Sequence, residues 1–125
     1  MTMERVLLVD DDPDIGRFLT MLLELEGFSP EVATRGQEAI DACERARPAA
    51  VLLDVAMPGL DGLELCRRLR GSGLDCAILV VSARPGADVG ARAFEAGADD
   101  FIRKPFDNAD LLDRLRHHMS RRTTH

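Results

Sequence analysis

Short apolar runs that each stop at a polar residue constrain this chain more than any other feature. Val6-Leu7-Leu8-Val9 stops at Asp10-Asp11-Asp12, and Ala50-Val51-Leu52-Leu53 stops at Asp54. Ala77-Ile78-Leu79-Val80-Val81 stops at Ser82, and Phe101-Ile102 leads through Arg103 to Lys104. A continuous run of four or five apolar residues is what a strand covered on both faces requires. A further short strand is expected around Phe28 to Ala33.

The segments between the runs carry helical spacing. Asp12 suits an N-cap and Pro13 a first helical turn. Ile15, Phe18, Leu19, Leu22 and Leu23 then mark one face, and Gly27 stops the helix. Thr34-Arg35-Gly36-Gln37 reads as a capping box for a second helix, with Ala39, Ile40, Cys43 and Ala46 or Arg47 inward and Pro48 beyond it. A third helix starts near Asp61 and turns Leu65, Cys66 and Leu69 inward, before the Gly71-Ser72-Gly73 loop. The fourth, Pro85 to Ala96, is weakly specified, because Gly86 and Gly90 each cost about 1 kcal/mol against Ala in a helix interior. Gly97 ends it. Asp107 caps a fifth helix with Leu111, Leu112, Leu115 and Met119 on one face. Phe18, Phe28 and Phe94 are assigned to the core. Strands alternating with helices in this way predict a parallel sheet covered by helices on both faces.

A chain of 125 residues fits one domain, and 46% hydrophobic with 30% charged residues is an ordinary globular balance. No apolar run approaches the length of a membrane span, and the first residues lack a signal-peptide layout, so a cytoplasmic location is expected. The net charge of -6 argues against direct nucleic-acid contact. Cys43, Cys66 and Cys76 are too widely spaced for a zinc motif and read as small core residues. His117 and His118 are adjacent, a poor arrangement for a metal pair on a helix. Arg121 and Arg122 read as solvated.

The polar residues that close the runs fall on one edge. In a doubly wound sheet the carboxyl ends of the strands line the ligand-binding crevice. Asp10, Asp11, Asp54, Ser82 and Lys104 would all lie there, and a flavodoxin-like order would make the first and third strands neighbours. Carboxylates brought together repel unless a cation intervenes. Oxygen ligands suit Mg²⁺, with Mn²⁺ as a substitute. A lysine and a hydroxyl complete a set fitted to a tetrahedral dianion, since phosphoryl transfer needs positioning and charge neutralisation above all. Each residue alone has an ordinary structural explanation: helix start, turn, cap or surface lysine. Their convergence is what outweighs those explanations.

The segments Leu7-Leu8-Val9-Asp10-Asp11-Asp12, Leu53-Asp54 with Met57-Pro58-Gly59 and Asp61-Gly62, Val81-Ser82-Ala83, and Gly97-Ala98-Asp99-Asp100-Phe101 with Lys104-Pro105-Phe106 resemble those of bacterial response-regulator receivers. The resemblance covers nearly the whole chain. It implies a (βα)5 flavodoxin-like sheet of order 2-1-3-4-5, with the receiver over 1–119 and a tail or linker start over 120–125. It implies Asp54 as phosphoacceptor, with a sensor histidine kinase or phosphotransfer protein as donor. Asp10, Asp11, Asp54 and the Ala56 carbonyl would hold Mg²⁺. Lys104, Ser82 and Ala83 would contact the phosphate, with Ser82 and Phe101 as the switch. The Lys104-Pro105 bond would be cis. The domain would catalyse its own transfer and dephosphorylation without being an enzyme in its own right.

The output face implied is the fourth helix, fifth strand and fifth helix, where Asp100 and Arg114 would pair and a phosphorylation-dependent homodimer would form. Control of transcription through a DNA-binding domain beyond this chain is expected, with a stand-alone receiver acting through protein contacts as the alternative. Phe101 lacks the tyrosine hydroxyl common at that position, and Ser82 lacks the methyl of threonine. Ala56 and Arg84 occupy positions that tune phosphate lifetime, and an apolar Ala56 favours a long-lived phosphoryl state. A different class of protein, a magnesium-dependent phosphatase, is suggested by Asp10-x-Asp12, but that reading leaves Asp54 and Ser82 without roles.

Overall fold

A computed structural model describes residues 3–55, 61–83 and 88–123. The elements alternate: β1 (Arg5–Val9), α1 (Pro13–Leu25), β2 (Ser29–Ala33), α2 (Gly36–Arg45), β3 (Ala50–Asp54), α3 (Gly62–Gly71), β4 (Ala77–Ser82), α4 (Asp88–Glu95), β5 (Asp100–Arg103) and α5 (Asn108–Thr123). The strands form one parallel sheet in the order β2-β1-β3-β4-β5. This is the flavodoxin-like arrangement expected of the sequence.

Two cores flank the sheet because side chains alternate along each strand. Leu7, Val9, Val51, Leu53, Ile78 and Val80 face α2, α3 and α4, where they meet Ala39, Cys43, Cys66, Leu69, Val89 and Ala93. Val6, Leu8, Leu52, Leu79 and Val81 face α1 and α5, against Leu19, Leu23, Leu111 and Leu115. β3 and β4 are buried along their whole length and β1 from Val6 on, which is why their sequences read as unbroken apolar runs. Each fully buried Leu or Val contributes about 1.5–3 kcal/mol relative to an exposed one.

Several local expectations change. The second helix is not closed by a Thr34–Gln37 box. Thr34 Oγ1 instead donates to Glu38 Oε1 at 2.8 Å, and Gln37 Nε2 donates to Asp41. Phe28 is buried, whereas Phe18 and Phe94 are exposed, at 37% and 52%. Phe18 belongs to the edge of the apolar face of α1, beside Leu19 and Leu23, which make the buried contact with the sheet. The fifth helix runs through Thr123, so Ser120 to Arg122 continue it. Arg122 is not simply solvated, because it binds the Asp99 carboxylate. Residues 84–87 and 56–60 lie outside the described residues. With them lie the expected start of the fourth helix at Pro85, the Gly86 and Arg84 positions, and the Ala56 carbonyl.

Candidate functional site

β1 and β3 are hydrogen-bonded neighbours with Val9 opposite Leu53. The next residue on each strand is therefore at the same level, and those residues are Asp10 and Asp54. The Asp10 N–H donates to the Ala33 carbonyl at 3.1 Å, which ties the exit of β1 to the end of β2. Its Oδ1 accepts from the Asp12 N–H at 3.0 Å. Asp10 and Asp54 are buried, at 5% and 8% exposure, while Asp11 faces solvent. Carboxylate oxygens of Asp10, Asp11 and Asp54 all lie within 4.8 Å of one another.

Lys104 arrives from the far side of the sheet. Its N–H donates to the Ser82 carbonyl at 2.9 Å, holding the exit of β5 against the end of β4. Its Nζ stands 3.2 Å from Asp10 Oδ2 and 3.4 Å from Asp54 Oδ2. The Lys104-Pro105 bond is cis. Ser82 is fully buried at the last position of β4, opposite Arg103, and Ala83 beside it is exposed.

The charges at this edge do not balance. Three carboxylates against one ammonium leave a formal excess of two negative charges when all are ionised. Burial pushes the Asp10 carboxyl up, and the Asp54 charge adds to this. The Asp12 N–H and the Lys104 ammonium oppose them, and the net shift is upward. For Lys104, burial pulls downward, but the Asp10 and Asp54 charges prevail and hold its pKa above the usual lysine value. A hard divalent cation answers both the oxygen-only donor set and the excess charge. Mg²⁺ fits these residues, and Mn²⁺ shares the preference for such ligands.

Asp12 does not join the carboxylate group. It is exposed, and its Oδ1 accepts from the Asp14 N–H as the N-cap of α1. This removes the second aspartate that an Asp-x-Asp phosphatase reading requires.

Around β5, Phe101 is half-buried against the core under α2, α3 and α4, and its ring lies beside Gly90 of α4. Asp100 and Arg114 do pair, within this one chain, at 3.1 Å. His118 Nε2 also reaches Asp100, at 2.9 Å, and Arg122 clasps Asp99 through two of its nitrogens. Arg114, His118 and Arg122 thus use one face of α5, at four-residue spacing, to grip Asp99 and Asp100. The sequence pointed to Asp100 and Arg114 as part of a dimerising face, whereas the contact seen here is within the chain. The partners His118 and Arg122 were not anticipated, although the spacing that places all three on one helix face is present. Arg70 was also missed. It donates to the carbonyls of Leu74, Cys76 and Gly97 and to Asp99 Oδ2.

The family model for the response regulator receiver domain matches residues 6–116. The response regulator MprA of Mycolicibacterium vanbaalenii is 48% identical over 120 residues, which is 96% of this chain and 52% of that protein. The response regulator MprA of Mycobacterium tuberculosis is 47% identical over 112 residues, 90% of this chain and 49% of the relative. The chain spans about half the length of the curated relatives it matches. Among solved structures, the BeF3-activated N-terminal receiver domain of Klebsiella pneumoniae RstA superposes with a TM-score of 0.87 at 35% identity, over 92% of this chain and 97% of that one. A CheY-like response regulator receiver domain protein from Methanospirillum hungatei gives 0.91 at 26% identity, over 97% of each chain. Sequence, sheet order and the acidic edge facing a lysine all agree, and the chain belongs to the response regulator receiver domain family.

Proposed function

We propose that Asp54 accepts a phosphoryl group from a phosphohistidine on a sensor histidine kinase or phosphotransfer protein. The supporting observation is the meeting of three carboxylates with the Lys104 ammonium at the carboxyl edge of the sheet. An Asp54 carboxylate oxygen bonds to phosphorus as the P–N bond breaks. The electron pair of that bond stays on the imidazole nitrogen, which takes a proton from solvent, and the product is an acyl phosphate. Lys104, beside both carboxylates, would meet a phosphoryl oxygen. Ser82 and the backbone at Ala83 end β4 next to this edge and would take another.

Asp10, Asp11 and Asp54 would hold Mg²⁺, which supplies charge neutralisation for the incoming dianion. Asp10 and Asp11 would hold the cation while Asp54 reacts. The Ala56 carbonyl, read from the sequence as a further ligand, belongs to the residues outside the description. The added charge, about -1.5 to -2 at neutral pH, would be passed through Ser82 and Phe101 to the face made by α4, β5 and α5. A homodimer formed there on phosphorylation would draw on Asp100 and Arg114. Arg114→Ala should then weaken phosphate-dependent dimerisation in analytical ultracentrifugation.

The test of the central claim is chemical. With Mg²⁺ and labelled acetyl phosphate or phosphorylated kinase, the wild type should gain alkali-labile label, and peptide mapping should place it on Asp54. Asp54→Asn should take up none. Label retained by a folded Asp54→Asn protein would sink the assignment.

A further inference from the structure

The edge that carries Asp54 is braced from behind by a contact that admits no side chain. α3 begins at Gly62, immediately after its N-cap Asp61, whose carboxylate accepts from the Leu63 N–H at 3.0 Å. Gly62 is buried. A Cβ built there would stand 2.3 Å from the Val55 Cα and 2.9 Å from the Asp54 carbonyl oxygen. Both atoms are backbone, so no rotamer change relieves the overlap. The first turn of α3 therefore rests directly on the Asp54–Val55 peptide.

The consequence for Asp54 is geometric. Its carboxylate is one end of a short lever whose other end is that peptide. On the β1 side Asp10 is fixed independently, by the Ala33 carbonyl and the Asp12 N–H. Lys104 is fixed by the Ser82 carbonyl. A shift confined to the Asp54–Val55 peptide would therefore move one member of the site relative to the rest. The allowed tolerance is small, because Lys104 already bridges Asp10 and Asp54 at 3.2 and 3.4 Å.

We propose that Gly62 is a positioning residue for the phosphoacceptor: by letting the first turn of α3 seat on bare backbone, it sets where the Asp54 carboxylate stands relative to Asp10, Asp11 and Lys104. The proposal rests on Asp54 being the acceptor. It adds that the acceptor's reactivity is set partly by a residue that touches neither cation nor phosphate. A methyl at position 62 must push the peptide away by several tenths of an ångström at least, and a misplacement approaching 1 Å can cost about a hundredfold in rate.

The experiment measures Mg²⁺-dependent phosphorylation by acetyl phosphate in the wild type, Gly62→Ala, Gly71→Ala and Asp54→Asn, each at a temperature where circular dichroism shows it fully folded. Gly71 is the matched control, since it ends the same helix and a Cβ there meets nothing within 4 Å. Gly62→Ala should lose between tenfold and a hundredfold in the rate at saturating acetyl phosphate, with little change in the half-saturating concentration. Its Mg²⁺ affinity by calorimetry should fall as well. A purely structural role would lower the rate only in proportion to the unfolded fraction. Gly71→Ala should match the wild type. A fully folded Gly62→Ala that phosphorylates at the wild-type rate overturns the proposal.

Should Gly62→Ala fail to fold, Asp61→Ala takes its place, because removing the cap loosens the same turn without a clash. It should show the same loss in rate, and a wild-type rate there overturns the proposal equally. Asp54→Asn separates the two claims: label on that variant defeats the acceptor assignment, whereas no label together with a wild-type rate in Gly62→Ala defeats only the role of Gly62.

Discussion

Lys104 reaches Asp54 across 50 residues of chain, with Nζ 3.4 Å from Oδ2, and the same nitrogen holds Asp10. One ammonium therefore serves as counter-charge to two buried carboxylates at once. Its loss should be felt in the resting protein as well as in the reaction. Lys104→Ala is expected to lose about 1–3 kcal/mol at pH 7 in the presence of EDTA, as expected when buried charged acceptors lose their donor. Mg²⁺ should restore part of that loss, since a cation can replace the missing charge. Urea denaturation with and without Mg²⁺ tests this, and equal losses in both conditions would count against it.

Asp10 carries the opposite sign. Burial raises its pKa above the ordinary value of 3.8, helped by the Asp54 charge and resisted by the Asp12 N–H and Lys104. A carboxyl whose folded-state pKa is raised favours folding below about pH 3.8, and that contribution is lost as pH rises through the folded-state pKa. At pH 7 without a divalent cation, ionised Asp10 is thus a net cost. Asp10→Asn keeps the shape and can still accept from the Asp12 N–H. Its melting temperature in EDTA should exceed that of the wild type, and its gain from Mg²⁺ should shrink. A lower melting temperature in EDTA would contradict this account.

The strands were legible because three of them are buried on both faces, which leaves no polar position to interrupt Val6–Val9, Ala50–Leu53 or Ala77–Val81. The site was legible for a related reason, since its polar residues stand where those runs stop. Contacts between distant elements were harder to read. Nothing local distinguishes Arg122, bound to Asp99, from Arg121, or marks Arg70 as the donor to three carbonyls. Helical spacing placed Phe18 on the inner face of α1, yet spacing alone does not decide which residues at the edge of that face the neighbouring elements cover, and Phe18 stays exposed while Leu19 and Leu23 are buried. Thr34 could be closed by either Gln37 or Glu38, and the carboxylate at the fourth position wins by accepting from both the Thr34 N–H and hydroxyl.

Gly90 offers a separate test of how α4 is held. A Cβ at this position would lie 3.6 Å from Phe101 Cδ1, an ordinary van der Waals distance. Gly90→Ala therefore meets no clash and gains helix propensity of up to about 1 kcal/mol. The variant should unfold at higher urea concentration by that margin, with an unchanged denaturant slope. Destabilisation would mean that the Phe101 ring needs the space that glycine leaves.

Asp99 carries a carboxylate whose partners make it acid-sensitive. Burial pushes its carboxyl upward, but the Arg122 hydrogen bonds, the Ile78 N–H and the charges of Arg122 and Arg70 outweigh burial and hold it below 3.8. These partners belong to α3, β4 and α5, so one carboxylate joins three elements to the start of β5. A carboxyl with a lowered folded-state pKa contributes stability that is present above its unfolded value and lost as pH falls through the folded one. The window therefore opens below about pH 3.8. Asp99→Asn should cost about 1.5–3 kcal/mol at pH 7, the range for hydrogen bonds to charged groups. The gap between wild type and variant should then close as pH is taken from 4 toward 2, because the wild-type carboxylate is being protonated while the amide does not titrate. Urea denaturation at pH 7, 4 and 3 gives the comparison. A gap that stays constant across those values would show that Asp99 holds the three elements by shape rather than by charge.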